Sequence, residues 1–186
     1  MLHADTCFTP SYQYLRPYTL SKKQLAAWGR TLADGTATRF VNLVLQHPYG
    51  PGDRPGKFVP GMIRECLDST GDIALTLGEQ RKDFVYAGDV AAAFLAVLNN
   101  LDKLPPGGTD LECGTGAAVS IREFVEAIHR LTASRATLRF GALPYRAGEI
   151  MLSEANPTAL RALGWAPTVS LEDGLWRTLR EDFGRG

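Results

Sequence analysis

The stretch RFVNLVLQ, residues 39–46, runs straight into HPYGPGD, residues 47–53, and its reading decides the fold. Eight residues that are mostly apolar and partly β-branched, with little alternation, predict a strand buried on both faces, as in a parallel sheet covered by helices. The proline and glycine density that follows predicts a loop. Loops beyond the carboxyl ends of parallel strands are where α/β sheets bind ligands. Upstream, Leu25, Trp28 and Leu32 recur at helical spacing within residues 18–34, and Gly35 supplies a stop. The first seventeen residues show no strong period and carry the loop signals Thr9-Pro10-Ser11 and Arg16-Pro17.

Downstream, helices and strands alternate. A helix is expected at 59–67, strands at 73–77 and 83–87, and a strongly apolar helix at 90–98 with Asp89 as its N-cap. After a turn at 104–108 come a strand at 110–113 and a helix to residue 131, opened by the Ser120…Glu123 capping box. A strand at 136–140 follows. Asn156, Pro157 and Gly164 then bracket a short helix, and Ser170 starts another. No repeat or low-complexity segment interrupts this alternation, which defines an α/β protein.

Composition agrees. The 186 residues hold 20 Lys+Arg against 20 Asp+Glu, a formal net charge of zero, with 45% hydrophobic residues. Such a chain is neither disordered nor a disulfide scaffold, and gives no electrostatic reason to expect nucleic acid or an anionic membrane as partner. No run approaches the roughly 18 apolar residues of a membrane span, and the N-terminus lacks the pattern of a signal peptide. Cys7, Cys66 and Cys113 are odd in number and widely spaced, which argues against disulfides and a metal site. The expectation is a cytoplasmic protein with one sizeable core.

Five local patterns invite chemistry, and each has an ordinary structural reading beside it. In Tyr18-Thr19-Leu20-Ser21-Lys22, positions i and i+4 of a helix share one face, and an ammonium beside a phenol favours the phenolate over a pKa that starts near 10. That suits a tyrosine exchanging a proton with a hydroxyl or ketone; the alternative is a surface helix. His47 at the strand end is a ligand contact or a structural histidine. The basic pair Arg81-Lys82 clamps a phosphate or is a solvated cluster. Gly114-Thr115-Gly116 lacks the full spacing of a phosphate loop and is better read as a tight turn. Tyr145-Arg146-Ala147-Gly148-Glu149 offers an arginine and a carboxylate to a ligand, or forms a surface turn.

Together these patterns fall in a telling order: Y-x-x-x-K, HPYGPGD, KFVP, GEQRKDFVYAGDV, CGTG with SIREF, YRAGE and LGWAPTVSLEDGL. The series resembles the NAD-dependent epimerase/dehydratase family, the extended short-chain dehydrogenase/reductases acting on nucleotide sugars. It covers residues 18 to about 179 and looks nearest to the CDP-abequose-synthase-like and 4-keto-6-deoxyhexose reductase branch. The resemblance implies a hydride moving between sugar and NAD or NADP while Tyr18 handles the proton and Lys22 binds the nicotinamide ribose. It places Leu45, His47 and Tyr49 near cofactor and sugar, with His47, Lys57, Phe58, Lys82, Arg146 and Glu149 on the nucleotide sugar.

The sequence also departs from that family. Only seventeen residues precede Tyr18 and no glycine precedes Gly29, so the glycine-rich turn that cradles a cofactor pyrophosphate is missing from these residues. Thr6, Thr9 and Ser11 stand too close to Tyr18 to serve as the family's Ser/Thr partner. Lys82 occupies a position where arginine is usual, forfeiting a bidentate grip, and Arg81 should face the other side of the strand. The expected architecture is a partial Rossmann-like, doubly wound remnant at 1–56 joined to a small substrate-binding α/β region at 57–186. The expected function is a truncated nucleotide-sugar epimerase, dehydratase or reductase with little activity alone. The alternatives are a non-catalytic binding or dimerisation module, or half of a split enzyme paired with a separate Rossmann-bearing polypeptide or with a second copy.

Overall fold

The computed structural model describes residues 16–185. Helix α1 (Arg16–Ala33) packs on two parallel strands, β1 (Arg39–Leu45) and β6 (Gly107–Cys113), paired from Arg39↔Gly107 to Leu45↔Cys113. Among the described residues four further helices of eleven residues or more bracket short strands: α2 (Phe58–Asp68), α3 (Ala87–Leu98), α4 (Ile121–Leu131) and α6 (Leu171–Phe183), with the brief α5 (Thr158–Ala162) before the last. Parallel pairing dominates. β2 (His47–Tyr49) lies on β5 (Phe84–Tyr86), and β3 (Asp72–Leu75) on β8 (Thr137–Phe140). β4 (Arg81–Lys82) runs parallel to β9 (Leu152–Ser153) and antiparallel to β7 (Val119–Ser120).

The local signals at two helix starts act as the sequence indicates. Ser120 and Glu123 close a reciprocal capping box on α4, and the Ser170 hydroxyl accepts the Asp173 N–H at α6. The Glu123 carboxyl is held below its ordinary range, chiefly by the Ser120 N–H and then by its hydroxyl. Asp89 behaves differently from expectation. It lies inside the first turn of α3, whose N-cap is Tyr86, and its carboxylate takes the N–H and hydroxyl of Thr168 and the N–H of Val169. A distant segment outbids the local cap, because burial at 3% exposure demands that every lone pair find a donor.

Three other expectations are corrected. Residues 47–49 form a strand, not a loop, since Pro48 needs no donor when β5 bonds its neighbours. β1 is half-buried rather than enclosed: β6 covers one edge, and among the described residues no strand pairs with the other. The single core is two clusters. One gathers Tyr49, Ile63, Ile73, Phe124, Ile128 and Leu175, the other Val85, Val90, Leu111, Leu160 and Trp165. β5 is the wall between them: Phe84 and Tyr86 face the first cluster and Val85 the second, as strand alternation requires. Each cluster draws residues from both sides of position 56. Among the described residues no helix is long and apolar enough to cross a membrane.

Candidate functional site

The site is built where β1 ends. Gln46 continues the pairing by donating its N–H to the Cys113 carbonyl, and His47 N–H then crosses to the Asp83 carbonyl, each at 3.0 Å. That switch of partner steers the chain from β6 to β5 and brings residue 47 beside residues 82–84. Lys82 sits opposite Ser153 across β4 and β9, and the Ser153 hydroxyl donates to Gln46 Oε1 at 2.8 Å. Lys82 Nζ reaches the Ile150 carbonyl at 2.6 Å and Glu149 Oε1 at 3.6 Å. Residues 46–47, 82, 149–150 and 153, up to 107 positions apart, therefore converge at one place. Arg81 turns the other way, onto the Ala118 carbonyl, as strand alternation predicts.

Behind this cluster, Asp83 is fully buried and its carboxylate collects four donors: Thr115 N–H at 2.8 Å, Thr115 hydroxyl at 2.6 Å, Gly116 N–H at 2.9 Å and Ala155 N–H at 3.1 Å. Gly114 lets the carboxylate come this close, since a Cβ there would stand 2.5 Å from Asp83 Oδ2. The 114–116 turn is thus an anchor, and its N–H groups at 115 and 116 are already used. Sequence reading did not single out Asp83 or Gln46. Only the strand assignment, which marks where β1 must change partner, points to them.

His47 is packed against the Phe84 ring at 5.7 Å, and its Nε2 is buried with no hydrogen-bond partner. Burial, reinforced by the Lys82 ammonium, pushes its pKa down to about 4, against a smaller opposing pull from Asp83. The imidazole is consequently neutral at pH 7. Phe58, half in solvent, stacks on Phe84 with centroids 6.4 Å apart, and Lys57 Nζ pairs with Asp53 at 2.9 Å. Arg146 is exposed in the loop just before Glu149.

Tyr49 does not join the site. It is 2% exposed within the first core cluster, its hydroxyl donates to the Leu171 carbonyl at 3.2 Å, and burial raises its pKa. Gly174 faces the same hydroxyl, where a Cβ would lie 2.2 Å away. Leu45 is partly exposed at the end of β1. Tyr18 and Lys22 stand on α1, with Lys22 Nζ 5.5 Å from the Tyr18 ring centroid, so the helical spacing does set them on one face. Thr6, Thr9 and Ser11 fall outside the described residues, as does Cys7; Cys66 and Cys113 are free, buried thiols pushed up to about 11 by burial.

Mostly parallel strand pairs flanked by helices, with charged side chains gathered at a strand end, make an α/β protein, the class whose sheets bind ligands at strand ends. Within that class the chain belongs to the NAD dependent epimerase/dehydratase family, whose model matches residues 3–114. It is 36% identical over 185 residues to the CDP-abequose synthase of Salmonella typhimurium, covering 96% of this chain and 61% of that protein. It is 28% identical to the dTDP-4-dehydro-6-deoxyglucose reductase of Escherichia coli, over 88% of this chain and 51% of that one. Among solved structures it resembles MoeE5 in complex with UDP-glucose and NAD, with TM-score 0.76, 28% identity, and coverage of 89% of this chain and 55% of that one. The UDP-glucose 4-epimerase of Thermotoga maritima shares the fold at TM-score 0.77 and 24% identity, over 89% and 52% of the two chains. The chain thus spans about half to three-fifths of the length of the relatives it matches.

Proposed function

We propose that these residues form the substrate-holding portion of a nucleotide-sugar reductase, epimerase or dehydratase that works with NAD or NADP, and that they carry its proton-transfer pair. The observation that supports this best is the convergence of Lys82, Glu149, Gln46, His47 and Ser153 at the end of β1. Lys82 and Arg146 meet the diphosphate, with Glu149 orienting Lys82; Lys57 and Phe58 line the nucleotide side. Leu45 and His47 lie toward the sugar and cofactor. Tyr18 gives or takes the proton at a sugar hydroxyl or carbonyl, and Lys22 steadies it and meets the ribose. The family relatives named for CDP-abequose favour a CDP sugar as the substrate.

The described residues fit one end of the nicotinamide cofactor. Tyr18 and Lys22 share an exposed helix face, but the Thr115 and Gly116 N–H groups, the nearest thing to a phosphate cradle, go to Asp83. When bound, the cofactor supplies or accepts the hydride; these residues hold the sugar nucleotide and move the proton. In this division of labour residues 1–56 bear the proton-transfer helix and residues 57–186 hold the substrate.

A second reading, association with another copy or with a Rossmann-bearing polypeptide, draws on α1. Leu25, Trp28 and Leu32 are 63%, 70% and 73% exposed along one stripe, beside a groove of about 610 Å³ that also includes Phe40. The test of the division of labour is a fluorescence titration of NADPH into the purified 186-residue chain, run beside calorimetry with a sugar nucleotide. Sugar-nucleotide binding near millimolar, about −4 kcal/mol, is expected without micromolar cofactor binding. Micromolar NADPH binding by this chain with no second polypeptide present would overturn it.

A further inference from the structure

Of the side chains that converge at the end of β1, Gln46 and Ser153 are still without a task. Gln46 is half-buried, neither sealed in a core nor free in solvent. Its N–H donates to the Cys113 carbonyl, so it extends the β1–β6 ladder by one residue and keeps the strand's alternation. The side it takes follows from its neighbours. Phe40 lies against Gly29 of α1, and Asn42 donates at 2.9 Å to Asp110, which pairs with Arg30 of α1. Val41 and Leu43 face the other way, into the cluster that holds α3. Gln46 therefore belongs to the α1 face of the sheet.

It also stands at the level of the proton-transfer pair. The short turn at 34–38 makes α1 run back antiparallel along β1. From the packing of Gly29 on Phe40, Tyr18 lies about 16 Å back along the helix and Gln46 about 20 Å onward along the strand. On its other flank Gln46 meets the neighbourhood of Lys82. Ser153 is the register partner of Lys82, so the two side chains leave the same side of the β4–β9 pair. The Ser153 carbonyl accepts the Asp83 N–H at 2.9 Å, which fixes the strand. From there its hydroxyl donates to Gln46 Oε1 at 2.8 Å. The acceptor end of the amide is thus committed, and no described residue accepts from Nε2. Its N–H groups are left unclaimed between Lys82 and the helix of Tyr18 and Lys22.

We propose that Gln46 recognises the sugar: its Nε2 donates a hydrogen bond to an oxygen of the hexose and holds the ring between Lys82 and Tyr18. Ser153 is the positioning residue that fixes the amide. A ligand whose diphosphate rests on Lys82 and whose reacting carbon meets Tyr18 has to pass this point, because Gln46 lies between the two. A hexose hydroxyl or carbonyl oxygen accepts such a bond, and a nucleoside diphosphate without its hexose has nothing to offer there. The amide loses little freedom on binding, since Ser153 has already oriented it. The inference rests on the sugar-nucleotide reading above and adds the residue that recognises the sugar.

The experiment is calorimetry of CDP and CDP-glucose on the full chain and on its Gln46→Met and Ser153→Ala variants, with thermal unfolding of each. The unmodified chain should bind CDP-glucose about fivefold more tightly than CDP, the worth of one neutral hydrogen bond. Gln46→Met keeps the length of the side chain without its donors. It should bring the two ligands within about twofold of each other, leaving CDP binding and Tm unchanged. Ser153→Ala frees the amide and should narrow the preference part of the way, again with CDP unchanged. A preference that survives Gln46→Met overturns the proposal. So does a Gln46→Met variant that weakens CDP as much as CDP-glucose, or that loses Tm together with both ligands. An unaltered preference in Ser153→Ala overturns the positioning role. Equal binding of the two ligands by the unmodified chain overturns this proposal alone. Failure to bind either at millimolar concentration overturns it together with the reading beneath it.

Discussion

The Asp83 carboxylate takes both the N–H and the hydroxyl of Thr115, residues 32 positions apart, and so fixes the turn after β6 to the strand that carries Lys82. With the Gly116 and Ala155 N–H groups it is a four-donor acceptor at 0% exposure. Asp83→Asn presents an NH₂ group to an array of donors and leaves some of them unpaired. A loss of about 2–4 kcal/mol is expected, in the range for breaking a buried charged hydrogen-bond network. For a chain of this size that is a fall in Tm of roughly 5–15 °C, read by thermal unfolding. An unchanged Tm would falsify the anchoring role.

His47 gives the molecule an acid-side sensitivity. Its folded-state pKa of about 4 lies below the ordinary 6.5, so the unfolded chain binds the extra proton first as pH falls. Its contribution to stability is therefore complete above pH 6.5 and declines as pH drops from there toward 4, by up to about 3 kcal/mol. His47→Gln should flatten that part of the stability–pH curve. Denaturant midpoints between pH 4 and 7 measure it, and identical slopes for the two proteins would count against the buried neutral imidazole.

Lys82 already reaches the 149–150 loop with a single ammonium. A guanidinium at this place can fork onto two phosphate oxygens, so Lys82→Arg should tighten binding of a nucleoside diphosphate several-fold, and Arg146→Ala should weaken it by a similar factor. Calorimetry separates the two. A neutral or harmful Lys82→Arg change would remove Lys82 from the diphosphate.

The apolar stripe of α1 and the edge of β1 that no described strand pairs with should make the chain self-associate at micromolar concentration. Trp28, 70% exposed in the single chain, is a built-in reporter whose emission should shift to the blue as association covers it. Replacing Leu25 and Leu32 by glutamate should shift sedimentation toward monomer. A cleanly monomeric unmodified chain, with no hydrophobic-dye binding, contradicts the expectation.

Elements governed by neighbouring residues were legible. The helix expected at 18–34, found at Arg16–Ala33 with Arg16-Pro17 in its first turn rather than in a loop, the Ser120–Glu123 box and the Ser170 cap all rest on contacts within four positions. Where a partner far along the chain intervenes, local reading failed: Asp89 serves Thr168 and Val169 instead of its own helix. Pro48 suggested a loop because the donors of its neighbours' partners lie 37 residues away in β5. β1 reads as enclosed because its composition suits two partners, and only one is described. The site divides the same way. The Tyr18–Lys22 face follows from helix geometry; motif order named Lys82 and Glu149 separately, and only the fold shows that they pair. Tyr49 could not be told from a ligand contact, because its neighbour across the core, Gly174, lies in another helix.

The Tyr49 hydroxyl bonds to Leu171, 122 positions later, and the Gly52 N–H to the Asp182 carboxylate, 130 positions later. A ribosome extrudes residues 47–53 long before either partner exists. While synthesis proceeds, this segment has neither of its two clasps, and Tyr49 must remain in water or rest against transient neighbours. Completion of the 47–53 segment therefore waits on the docking of α6 and is not paced by the order in which the strands appear.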